Sequence, residues 1–130
     1  KYVIDKGATG YYSTVSGMMT HLKSTFSRDA DATEAEATRA YTKPDLLVLD
    51  EVGRALDTSW EQSKFFEILN ERYANLKPTV LVSNLPEAKF REHLTEVVVD
   101  RLRESGGRLL VFDWASQRSS KPKLYLSRDA

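Results

Sequence analysis

Residues 44–53 read Pro-Asp-Leu-Leu-Val-Leu-Asp-Glu-Val-Gly, an apolar run from Leu46 to Leu49 closed by two adjacent carboxylates. The proline ends whatever regular structure precedes it. A run this short, apolar at successive positions, suits a strand covered on both pleat faces, as in a parallel sheet. Carboxylates do not belong inside such a strand, so Asp50 and Glu51 mark its C-terminal end. Open α/β sheets bind their ligands along that edge. The stretch thus predicts an α/β fold with a mostly parallel sheet and a candidate site at Asp50-Glu51.

The totals narrow the classes. At 130 residues the chain makes one domain with room for a core. Nineteen Lys and Arg balance 19 Asp and Glu. No global basic field therefore announces a nucleic-acid partner, and any such contact must be a local patch. The absence of cysteine excludes disulfides and thiolate metal sites. His21 and His93 stand apart, outside any HxxH or HExxH pattern, which argues against a histidine zinc site. No apolar stretch approaches membrane-spanning length and no signal-peptide pattern is present, so a cytoplasmic protein without a membrane partner is expected.

Lys1 to Lys6 reads as the tail of a helix capped by Gly7. Tyr11 to Val15 reads as a strand. Val15, Met18, Met19, Leu22 and Phe26 recur at helical spacing, which puts Phe26 on a buried stripe. Residues 27–42 are polar and read as a loop and an exposed helix. Thr58 with Glu61 forms a capping box. The helix it opens aligns Phe65, Leu69, Tyr73 and Leu76 and stops at Lys77-Pro78. Thr79 to Asn84 reads as a second buried strand. Two helical stretches follow, to Leu94 and from Val97 to Glu104. After a turn at Ser105-Gly106-Gly107, residues 108–114 read as a third buried strand. Strands alternate with helices, which argues for right-handed crossovers and helices on both faces.

A strand ending in Asp-Glu matches the acidic half of a P-loop nucleotide site. Asp50 would hold Mg²⁺, directly or through water, and Glu51 would activate the attacking water. Two more strand ends carry polar residues. Asn84 suits a γ-phosphate contact or, equally, the start of a turn at Leu85-Pro86. Arg118 suits bidentate phosphate pairing or a plain surface position. Arg101 and Arg103, two residues apart on a helix, point to different sides, so at most one reaches a shared target.

With these residues in view, the chain resembles the AAA+ ATPases of the DnaC/IstB/DnaI type, helicase loaders and transposition helpers. The matching stretches are Thr14 to Phe26, Pro44 to Gly53, Thr79 to Pro86, Val99-Asp100-Arg101-Leu102-Arg103, and Val111-Phe112-Asp113-Trp114 through Arg118. The resemblance implies that Asp50 and Glu51 are the Walker B pair and Asn84 is sensor 1. It makes Arg101 an arginine finger acting in trans, hence a homo-oligomer, and Arg118 the sensor 2 arginine. Lys23 and Phe26 would fall in an element facing single-stranded DNA. The implied cofactors are ATP and Mg²⁺, and the implied partners are a replicative helicase and single-stranded DNA in a bacterial cell, host or phage-encoded.

The chain departs from the family in lacking any G-x-x-x-x-G-K-[ST]. Residues 1–130 are therefore expected to be a partial AAA+ domain, from the end of the Walker A helix to just past sensor 2. The first strand and the P-loop would lie upstream. Without that loop these residues alone would not hydrolyse ATP, although the parent protein would. Competing readings are an IstB-type transposition helper, a non-catalytic DNA- or partner-binding remnant, and a receiver domain phosphorylated on Asp50.

Overall fold

The computed structural model describes residues 2–54 and 56–115. Helix α1 (Tyr2–Asp5) stops at Gly7, whose φ of +79° supplies the left-handed cap expected there. Strand β1 (Gly10–Thr14) runs directly into α2 (Val15–Ser24), where the Thr14 hydroxyl accepts from the Gly17 N–H. Helix α3 (Glu34–Thr42) leads to β2 (Leu46–Asp50), then α4 (Ser59–Ala74), β3 (Thr79–Leu81) and α5 (Glu87–Glu104). The strands form one parallel sheet in the order β1-β2-β3. Thr14 lies opposite Asp50, and Leu49 opposite Leu81.

Local chemistry explains the helix starts. Thr33 with Glu36, and Thr58 with Glu61, each close a reciprocal capping box that satisfies two otherwise orphaned N–H groups. The core then forms from the helical stripes and the central strand: Val15, Met18 and Leu22 of α2, Leu47 and Leu49 of β2, and Phe65 and Ile68 of α4.

One charged residue belongs to this core. The Arg72 side chain, near the end of α4, is almost wholly buried. Its Nη1 donates to the carbonyls of Tyr41 at 3.0 Å and Pro44 at 2.8 Å, and its Nη2 to that of Pro78 at 2.7 Å. Its Nε donates to the Thr79 hydroxyl at 2.8 Å. Arg72 thereby ties α4 to the entrances of β2 and β3.

Several expectations need correction. Strand β2 is fully buried only on its Leu47 and Leu49 face, and Leu46 and Val48 are half-buried. Strand β3 is three residues long rather than six, and Val80 is exposed, because β3 forms the outer edge of the sheet among the described residues. Helix α3 is not an exposed helix, since Ala37, Thr38, Tyr41 and Thr42 are buried. Leu76 leaves the α4 stripe: the helix has ended, Leu76 adopts φ +53°, and it is 82% exposed. Phe26 lies past the end of α2 and is 57% exposed, so it is not a core residue.

The largest correction concerns residues 108–114. They form no strand, and Leu110, Val111, Phe112 and Trp114 are exposed. Strand propensity needs a ladder partner to be realised, and neither described sheet edge pairs with this segment. The two helical stretches after Pro86 do appear, as one run broken at Thr95 (φ +66°, ψ 152°).

Candidate functional site at the C-terminal sheet edge

In a parallel sheet all strands present their C-terminal ends on one side. Here that edge carries Thr14, Asp50 and the segment after β3. The pairing of β2 and β3 continues beyond the ladder: Val82 N–H donates to Leu49 O, and Val52 N–H to Val82 O, each at 2.9 Å. The Ser83 hydroxyl then donates to Val52 O at 2.6 Å. These bonds draw the Ser83-Asn84 segment alongside the Asp50-Glu51 turn. Asn84 is exposed on that edge.

The turn after β2 has a special backbone. Glu51 adopts φ +57°, a left-handed conformation uncommon for a glutamate. Its N–H donates to Asp50 Oδ1 at 2.7 Å. Gly53, at φ +106°, follows, and a Cβ there would lie 2.3 Å from the Leu85 side chain. Only glycine lets the two loops approach this closely.

Asp50 has a second partner. The Tyr12 hydroxyl donates to Asp50 Oδ2 at 2.9 Å. The strand expected over Tyr11 to Val15 assigns neither tyrosine a part in the site. Tyr11 does stack edge-to-face on buried Tyr41, at 5.4 Å between ring centroids. Tyr12 instead reaches the acidic site. Strand alternation held the signal, since Tyr12 lies opposite Val48 and Thr14 opposite Asp50, so Tyr12 and Asp50 share a face. The register, which only the structure reveals, was needed to read it.

The remaining candidates lie elsewhere. Arg101 sits on α5, where its guanidinium bonds the Asn70 side-chain oxygen and lies 5.8 Å from the Tyr73 ring centroid. Helix α4 starts after the C-terminal end of β2 and finishes before the start of β3. Asn70 and Tyr73, near its end, therefore lie toward the opposite edge of the sheet from Asp50. Arg103 is exposed and approaches Asp100 at 3.8 Å. Arg118 lies outside the described residues. Lys23 is ion-paired with Glu61, and Phe26 stacks edge-to-face on Trp60 at 5.0 Å. The Glu61 carboxyl is drawn down to about 2, first by the Lys23 hydrogen bond and then by the Thr58 N–H.

Among the described residues no three His, Asp or Glu side chains cluster to cage a metal ion. Asp50 is a single carboxylate at the sheet edge, and Mg²⁺ takes one or two carboxylates plus waters and phosphate oxygens. No described helix is long and apolar enough to cross a membrane.

The family model described as "IstB-like ATP binding protein" matches residues 2–111. The replicative helicase loader DnaC of Buchnera aphidicola is 31% identical over 117 residues, which are 90% of this chain and 48% of that protein. The chain thus spans about half the length of the curated relatives it matches. The crystal structure of a DnaC helicase loader matches with a TM-score of 0.60 at 24% identity, over 79% of this chain and 61% of that one. A replication initiator DnaA bound to AMPPCP and single-stranded DNA matches with a TM-score of 0.63 at 23% identity, over 78% of this chain and 30% of that one. These likenesses show an AAA+ fold of the P-loop NTPase kind.

Proposed function

This chain belongs to the IstB-like ATP binding protein family, and on that premise we propose that it is part of an ATP-dependent loader of a replicative helicase onto single-stranded DNA. The carrying observation is the Asp50-Glu51 pair, held at the C-terminal end of the central strand in a chain whose relatives are named DnaC. Residues 1–130 are then the part of the AAA+ domain that follows the P-loop. These residues hold no G-x-x-x-x-G-K-[ST], so they do not themselves supply a phosphate-cradling loop.

The roles are those the resemblance implies; the placement of Asp50, Glu51 and Asn84 at one sheet edge supports theirs, and that of Arg118 rests on the resemblance alone. Asp50 would hold Mg²⁺ directly or through water. When bound, that ion neutralises charge on the transferring phosphoryl group. Glu51 takes the proton of the attacking water. Asn84, brought beside them by the Val82 and Ser83 hydrogen bonds, contacts the γ-phosphate or the water. Arg118 pairs with phosphate oxygens. Arg101, toward the opposite edge of the sheet, serves the nucleotide of a neighbouring copy, which makes the working form a homo-oligomer. The exposed Phe26, backed by Trp60, offers a stacking surface for a base of single-stranded DNA, and Lys23 would meet a phosphate only by leaving its ion pair with Glu61.

The test uses the full-length gene product. ATP hydrolysis that rises with single-stranded DNA and falls at least about 100-fold in Glu51→Gln, with nucleotide binding retained, is expected. Residues 1–130 alone should show no turnover. Absence of nucleotide binding by the full-length protein would overturn the reading. The family description favours a second reading, an IstB-type helper of a transposase. Stimulation of ATP hydrolysis by a transposase rather than by a replicative helicase would select it.

A further inference from the structure

Asp50 is held at both carboxylate oxygens, and one of the two donors comes from another strand. Glu51 N–H donates to Oδ1 at 2.7 Å, and the Tyr12 hydroxyl donates to Oδ2 at 2.9 Å. The first contact is local, made between neighbours in the chain. The second follows from register, because Tyr12 lies one pleat repeat before Thr14, the residue opposite Asp50. A phenol is long enough to span that diagonal. Tyr12 is 61% exposed, so burial in the core does not account for a tyrosine at this position.

We propose that Tyr12 is a positioning residue for the divalent-cation site, its hydroxyl fixing the plane of the Asp50 carboxylate so that the free lone pairs face the ligand. This rests on the reading of Asp50 as the cation-holding carboxylate. The terminal torsion of an aspartate is broad, so an untethered carboxylate samples many planes. Donors on both oxygens remove that freedom before the ion arrives, and the cost of ordering is not charged to binding. Partners that orient a metal-binding carboxylate contribute about 10- to 100-fold in metal affinity.

The experiment measures Mn²⁺ binding by electron paramagnetic resonance, in the full-length gene product with AMPPCP, for the wild type, Tyr12→Phe and Asp50→Asn. Tyr12→Phe keeps the ring and removes only an exposed hydroxyl. The expected result is a Mn²⁺ Kd raised about tenfold, with AMPPCP affinity in the absence of metal unchanged. The Mg²⁺ concentration for half-maximal hydrolysis should rise in step, while the rate at saturating Mg²⁺ stays within about twofold, because no group that touches the reacting atoms is lost. A Tyr12→Phe Kd equal to that of the wild type, with Mn²⁺ lost in Asp50→Asn, overturns the role of Tyr12 and leaves the site standing. Wild-type Mn²⁺ binding by Asp50→Asn overturns the site and the role together.

Discussion

Arg72 is the residue whose removal the fold should tolerate least. Its guanidinium is compensated by backbone carbonyls rather than by a carboxylate: Tyr41, Pro44 and Pro78 all accept from it. Leucine would keep much of the bulk and leave the Tyr41 and Pro44 carbonyls without this donor, while Pro78 O would keep only the Leu47 N–H at 3.3 Å. The expected cost is about 3 kcal/mol or more, since each unsatisfied buried group carries a penalty of about 1–3 kcal/mol. Urea unfolding of Arg72→Leu beside the wild type checks it. Glu61 adds a pH dependence. Its carboxyl lies near 2 in the folded protein, against an ordinary 4.5. Between those values the unfolded chain binds the proton and the folded one does not, so stability should fall as pH drops from about 4.5 toward about 2. Glu61→Gln should flatten that part of the curve of urea midpoint against pH. Local and distant chemistry differed in legibility here. The Thr58–Glu61 box was readable because its partners are three residues apart. The Lys23–Glu61 pair, 38 residues apart, and the carbonyl cage of Arg72 depend on packing that no local pattern encodes.

Among the elements, α5 carries a fault line. Thr95 adopts φ +66° and ψ 152°, a conformation that glycine enters freely and a β-branched residue does not. Thr95→Gly should therefore raise the unfolding free energy by about 1 kcal/mol, read as a higher urea midpoint, once the greater freedom of glycine in the unfolded chain is set against the relieved strain. An unchanged or lower midpoint would mean that the Thr95 side chain repays its strain through contacts. The break itself was legible as two helical stretches separated after Leu94. Helix starts were legible because caps are local and chemical. Strand extents were less so, because a strand exists only with its neighbour. The run at 108–114 has the same apolar character as β2, yet β2 has a strand on each side and 108–114 pairs with neither described edge. The parallel α/β class followed from the run before Asp50, and the acids that close it marked the candidate site. Tyr12 stayed hidden because its meaning lies in register.

At the scale of the whole molecule, the strand order β1-β2-β3 follows the order of the sequence. Each strand is laid beside the one made before it, with helical crossovers between, and none must be inserted between two already in place. On a ribosome these three strands can therefore be added one at a time as they emerge, each meeting a finished template edge. Loop closure is then confined to one crossover per step. Arg72, which grips the entrances of both β2 and β3, would lock the last of these additions only after Pro78 and Thr79 have been made.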